Sequence, residues 1–473
     1  MSSRIIALSL VINVFVVPTS GCASQSESLM TDPKPAASMP DDAMPWEVDR
    51  FADIRVLRYE IPGFEGLPLR DKKLVYYLTE AALAGRDLVW DQNHPSNLVV
   101  RKTIEALVNE PPEDAGPGWP AFVTWAKRVW FSGGIHHHYS TRKFDPGFGA
   151  EDLARWARSV NASALPLAEG GDVDALLAEL GPLLFDSKTD AVRVEQSPDT
   201  DVVVGSANNF YRGVNQAEVE AFYAAKTDAD DVRPVSHGLN SQLVRCGDQL
   251  VERTWRVGGL YSPAIERIVG WLEEAVTVAE GPEQRAAFEQ LIQYYRTGDL
   301  ADFDRYNVAW LADTSSRVDT INGFIETYGD PLGYRGSWEA IVSFQDLVAT
   351  ERMTTISDNA QWFEANAPLV ETHKKEEVTG IMGAVITVTG SGGDSAPTLP
   401  LGVNLPNADW IRRDHGSKSV NLGNIAHAYH EASKGSGLLE AFSLTEAEVQ
   451  RSREHGFLAD NLHTDLHEVI GHA

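Results

Sequence analysis

His467-Glu468-Val469-Ile470-Gly471-His472 restricts its own local structure more than any other stretch of this 473-residue chain. Two imidazoles flanking a glutamate within one helical turn can grip a zinc ion and set a general base beside it. In the usual H-E-x-x-H spacing the histidines fall at i and i+4, on one helix face. Here the second lies at i+5, about 140° from the first on an ideal α-helix. Both can meet one ion only if the turn widens, as in a single-turn π-bulge, and Gly471 stands where that widening is needed.

Zinc needs a third protein ligand, with a solvent position left open for catalysis. That ligand normally lies downstream, and the sequence given stops one residue after His472. Two expectations follow: the chain is part of a longer polypeptide, or the ligand comes from upstream. His463, four residues before His467, is the upstream candidate, and its spacing alone reads better as an ordinary exposed histidine. His136-His137-His138 is read as an extended segment whose rings point to opposite faces, so it suits a cleft wall better than a metal.

At 43% hydrophobic content the chain can bury a large core. Residues 1–22 stand apart from it. Arg4, the apolar run from Ile5 to Val17 and the small residues before Cys22 resemble a bacterial export signal ending in a lipobox, which makes Cys22 the candidate lipidation site. Residues 23–44 read as a flexible tether. The expected location is the bacterial cell envelope or periplasm, with membrane contact only through a lipid anchor at Cys22. Beyond Cys22 the only cysteine is Cys246, which excludes a disulfide framework and is expected to be a buried thiol. The net charge of −28 argues against nucleic acid as a partner.

Helical spacing marks 72–84, the Ala- and Leu-rich stretch 150–180, and 283–296. Ser262-Pro263 reads as a helix start, followed by the stripe Ile265, Ile268, Val269 and Leu272. Residues 380–389 read as a strand, 390–395 as a glycine loop, and Leu399 to Leu405 as a second extended run. The mix is α+β and α-rich, without alternating βαβ units.

Three motifs then occur in a fixed order: Gly323-Phe324-Ile325-Glu326-Thr327-Tyr328-Gly329-Asp330-Pro331, Gly402-Val403-Asn404-Leu405-Pro406-Asn407, and Val420-Asn421-Leu422-Gly423-Asn424. With the terminal H-E-x-x-G-H they resemble the dipeptidyl peptidase III family of zinc exopeptidases. Asp49 to Gly63, Gly134 to Ser140, Asn208 to Gly213 and Thr297 to Leu300 resemble its bacterial branch, so the likeness runs from about residue 45 onward.

The resemblance implies a two-lobed fold around a cleft, with a small β-barrel core in the lower lobe and a mostly helical zinc-bearing upper lobe. It divides the chain into a leader (1–22), the tether (23–44), a lower lobe (45–340), a helical upper-lobe segment (341–383), a return to the β core carrying the substrate strand (384–433) and the start of the zinc-bearing lobe (434–473). It also implies release of dipeptides from the free N-terminus of short peptides by a monomer. By the same resemblance one Zn2+ would be held by His467 and His472, with Glu468 as the general base. Tyr328 would donate to the oxyanion, Glu326 and Asn407 would receive the substrate ammonium, and Asn404 would hold substrate backbone. The family's third ligand, a glutamate in a later E-E-x-x-A-E motif, falls beyond Ala473. Two rival readings are a zinc endopeptidase and a peptide-binding envelope protein that lost its chemistry.

Overall fold

A computed structural model of the chain describes residues 45–378 and 381–472. The leader, the tether and Cys22 lie outside the described residues, as does Ala473. The described part opens with a hairpin, β1 (Glu47–Phe51) and β2 (Ile54–Leu57). Helix α1 (Leu69–Gly85) contains the predicted run 72–84 and buries Leu74, Val75, Leu78, Ala81 and Ala82. Then come α2 (Leu88–Asn93), α3 (Asn97–Asn109), α4 (Trp119–Ser132), α5 (Ala150–Ser159) and α6 (Val173–Phe185). These share a core that includes Phe122, Trp125, Trp156 and Leu180. The stretch 150–180 is therefore two helices rather than one. Pro166 and Gly170-Gly171 break it, and the Asp172 carboxylate accepts from the Ala175 amide to start α6.

A small sheet joins β3 (Tyr211–Arg212), β4 (Ser241–Cys246) and β5 (Gln249–Thr254), with α7 (Gln216–Ala224) between β3 and β4. Cys246 ends β4 at the tip of a tight hairpin and is exposed, not the buried thiol expected from the sequence. Three helices follow, α8 (Ser262–Thr277), α9 (Pro282–Thr297) and α10 (Leu300–Ala312). The stripe Ile265, Ile268, Val269 and Leu272 is buried as the period requires. The helix begins one position earlier than its sequence suggests, with Tyr261 at the cap. The Ser262 hydroxyl instead accepts from the Gly258 amide at 2.6 Å and donates to Glu266 at 2.6 Å.

The main sheet contains β6 (Val318–Glu326), β7 (Ser337–Gln345), β8 (Ile381–Gly393), β9 (Gly402–Leu405) and β10 (Ser417–Leu422), in the order β6-β7-β8-β10-β9. Only β8 and β10 run parallel. Helices α11 (Leu347–Ser357) and α12 (Ala360–Asn366) separate β7 from β8, and α13 (Asp409–His415) separates β9 from β10. The expected loop at 390–395 is largely strand, because β8 continues to Gly393. Its glycines serve close packing, and Gly393, at φ 66°, also opens the turn that follows. A Cβ on Gly392 would lie 2.5 Å from the Ala82 carbonyl of α1, and one on Gly393 would lie 2.1 Å from the Trp338 carbonyl. The extended run 399–405 narrows to the four residues of β9. After β10 come α14 (Gly423–Ser433), α15 (Leu438–Phe442) and α16 (Glu446–Leu466), and the last described turn is His467–Gly471. No helix of the described residues is long and apolar enough to cross a membrane.

Candidate metal and peptide site

Helix α16 begins on a reciprocal cap, in which the Thr445 side chain accepts from the Glu448 amide and the Glu448 carboxylate accepts from the Thr445 amide. At its far end the repeat changes, and His467–Gly471 is a π-helical turn. The widening demanded by the i, i+5 spacing is thus present. The rings of His467 and His472 meet edge to face with centroids 4.9 Å apart. One ligand atom from each of His467, Glu468 and His472 lies within 4.8 Å of the others. Burial first, and then the His467 and Arg412 charges, lowers the pKa of His472, which keeps its ring in the neutral form that ligates metals.

The turn rests on the sheet. Val469 is fully buried in a cluster with Met353, Ile356 and Val385. Two residues before His467, the buried Asp465 accepts from Arg352 Nε of α11 at 2.7 Å and from Asn421 Nδ2 of β10 at 2.6 Å. The Glu468 side chain lies against Gly402, where an added Cβ would be 2.3 Å from Glu468 Oε1. Glu468 Oε2 is buried without a hydrogen-bond partner. Burial pushes the Glu468 carboxyl up to about 7, against the opposing pull of Arg412. Two converging imidazoles beside an unsatisfied carboxylate oxygen fit a divalent ion that takes nitrogen and oxygen ligands.

Glu326 ends β6, and its Oε1 accepts from Asn407 Nδ2 at 3.2 Å. Asn404 Nδ2 lies 3.1 Å from Ser417 Oγ, 2.6 Å from Ser419 Oγ and 3.4 Å from the Glu468 carbonyl, while its Oδ1 is buried without a partner. Tyr328 sits on the turn after β6 and is 74% exposed. That turn is braced from below. Asp330 Oδ2 accepts from the Tyr211 hydroxyl at 2.7 Å and from the amides of Tyr334 and Arg335, and Asn208 Nδ2 donates to the Gly329 carbonyl at 3.0 Å.

Three groups that sequence reading passed over complete the arrangement. Arg412 of α13 donates from Nη2 to the Asn404 carbonyl (3.0 Å) and to Asn407 Oδ1 (3.3 Å), and from Nε to the Pro406 carbonyl (2.6 Å). Its charge is felt by both Glu326 and Glu468, so it lies between the two ends of the site. Glu326 is in register with Ser337, two residues along β7 from Glu339, which puts both carboxyls on one face of the sheet. Glu339 is buried, accepts from the Ser395 hydroxyl, and is pushed up to about 8 by burial and then by Glu326. Burial also raises Asp394, opposed by Arg193, and raises Glu326 itself. Nothing in the local sequence marks Arg412 or Glu339; the preceding glycines of 390–393 were the one cue to Asp394.

The remaining histidines stand elsewhere. His463 is exposed on α16 and lies outside the group of three. The segment 136–138 is extended at His136, which bridges to Lys143, and turns from His138, so that His137 and His138 stack at 4.5 Å with planes 14° apart instead of facing opposite ways. His136 Nε2 donates to the Asp190 carbonyl at 2.7 Å, and burial holds this ring down to about 3.

Residues 243–473 match the family model of peptidase family M49. Dipeptidyl peptidase 3 of Dictyostelium discoideum is 28% identical over 221 residues, 46% of this chain and 30% of that protein. The Rattus norvegicus protein of the same name is 30% identical over 220 residues, 45% of this chain and 28% of its own length. Among solved structures, DPP III from Caldithrix abyssi superposes with a TM-score of 0.60 at 18% identity, over 86% of this chain and 64% of that one. Dipeptidyl-peptidase III from Corallococcus sp. strain EGB gives 0.61 at 17% identity, over 87% of this chain and 64% of that one. The chain thus spans 28–30% of these curated relatives and 64% of each solved chain. The chain shares the α-rich α+β fold of both solved structures, and its residues 243–473 are similar to peptidase family M49.

Proposed function

We propose that this protein is a zinc-dependent dipeptidyl peptidase that removes dipeptides from the free N-terminus of short peptides. The observation that carries the reading is the convergence of His467, Glu468 and His472 within 4.8 Å on one widened turn. A zinc ion held there would supply the Lewis acid for peptide-bond hydrolysis. Strand β9 pairs with β10 on one side and is an edge strand of the sheet, so its outer edge can take a peptide as an added strand. Glu326, backed by Glu339 and Asp394, offers the acidic receptor that a substrate ammonium needs. Asn407 has its carbonyl oxygen engaged by Arg412 and turns its amide toward Glu326, so it orients that carboxylate. Glu468 Oε2, which has no partner of its own, takes the proton of the attacking water and returns it to the leaving amine. Tyr328 is the proposed donor to the oxyanion. The same reading puts the protein in the cell envelope as a monomer, and only the sequence of residues 1–22 supports the export.

Exchanging Glu468 for glutamine should leave metal content unchanged and lower turnover by roughly a hundredfold to ten-thousandfold. A variant within a fewfold of the parent rate would remove Glu468 from the role of base.

The rival endopeptidase has no use for an acidic amine receptor. Chromatography of the digest separates the two readings. An N-acetylated peptide should yield no dipeptide while its free-amine twin is cut, and cleavage of both at equal rates would favour the endopeptidase.

The buried Glu339 makes a further prediction. Its folded pKa of about 8 lies above its ordinary value of 4.5, so between those limits the folded chain binds the extra proton. That contribution to stability is complete below about pH 4.5 and is lost as pH rises through 8. Thermal melts of Glu339→Gln across pH 5 to 9 should show a shallower fall in Tm than the parent; parallel curves would contradict the assignment.

A further inference from the structure

The widened turn has no covalent reason to stay wide, since α-helical bonding is the commoner state of such a segment. Its neighbours across the sheet supply one. Register places Gly383, Ser419 and Asn404 in one lateral row across β8, β10 and β9, and Val385, Asn421 and Gly402 in the row two residues on. Positions two apart on a strand share a face, so both rows point at the same side of the sheet. Each member meets the metal-site helix. Gly383 leaves room for Val469, whose Cγ2 would stand 3.2 Å from an added Cβ, and Gly402 leaves room for the Glu468 carboxylate. Val385 packs on Val469, and Asn421 donates to Asp465.

The centre of this face is the fully buried Ser419. Its Oγ accepts from Asn404 Nδ2 at 2.6 Å and donates to the Glu468 carbonyl at 2.8 Å. The Nδ2 amino group can only donate, so it fixes the direction of the hydroxyl proton toward that carbonyl. Asn404 Nδ2 itself reaches the same carbonyl at 3.4 Å. The two hydrogens of Nδ2 go to the nearer hydroxyls of Ser419 and Ser417, so the Ser419 hydroxyl is the side-chain donor to this backbone oxygen of the π turn, and Asn404 sets its direction.

We propose that Ser419 is a positioning residue whose hydroxyl, aimed by Asn404, holds the π turn open and so keeps His467 and His472 on one ion. It touches neither substrate nor metal and acts through the backbone of Glu468. The proposal rests on the metal-site reading, and its test separates the two. Ser419→Ala, Ser419→Thr and, as a control, Ser417→Ala are compared with the parent. Ser417 shares the Asn404 amide at 3.1 Å, and among the described residues its side chain bonds to Asn404 alone.

Far-UV circular dichroism and Tm establish that each variant folds. In the metal-free proteins, hydrogen exchange of the peptide spanning 466–472 should be several-fold faster in Ser419→Ala and parental in the other two. Zinc affinity, read by chelator competition, should fall about tenfold to a hundredfold in Ser419→Ala and recover in Ser419→Thr. Parental exchange and affinity in Ser419→Ala would overturn the proposal, as would an equal loss in Ser417→Ala. A parent that binds no zinc, together with fast exchange in Ser419→Ala, would overturn the metal reading and leave the role of Ser419 in the turn standing.

Discussion

Two imidazoles five residues apart can meet only where a helix opens by one residue, and the site of this chain is organised around that opening. The α-helical alternative would turn His472 about 140° away from His467 and leave Glu468 beside a single histidine. The turn is not held by its own ladder alone. It lies on three strands whose facing residues are matched to it, with small residues beneath its bulky side chains and donors beneath its carbonyl. Sheet register thereby decides which atoms of the turn after α16 converge. A one-residue slip of β10 would turn Ser419 and Asn421 to the opposite face.

Electrostatics extends the same logic to the other end of the site. A chain of net charge −28 concentrates three carboxyls, the buried Glu339 and the half-buried Glu326 and Asp394, near the end of β6 and places Arg412 between Glu326 and Glu468. Arg412 ties together the carbonyls of Asn404 and Pro406 and the Asn407 amide, so one cation orders the edge of β9. Its charge holds down the Glu468 pKa while burial holds it up. The result is a carboxyl near 7, whose proton can move either way at neutral pH.

Much of this was legible in the sequence where a local pattern carried the signal. The stripe of α8 and the odd spacing of H-E-x-x-G-H each dictated a local structure that the fold contains. The failures share a physical cause. Gly390 to Gly393 read as a loop because glycine breaks structure locally, yet they are small so that α1 and Trp338 can approach β8. Cys246 read as buried from its residue type, while its exposure follows from a hairpin tip. Stacked His137 and His138 contradict a two-residue period that applies only to extended chain. Arg412, Glu339 and Ser419 owe their places to contacts between strands and helices distant in sequence, which no spacing rule reports.

The geometry of the wide turn can be measured directly at the metal. Zinc-loaded protein studied by X-ray absorption should show two imidazole ligands at about 2.0–2.1 Å, falling to one in His472→Ala. A spectrum with fewer than two imidazoles in the parent, or one unchanged by the substitution, would contradict the claim that the π turn brings both histidines to a single ion.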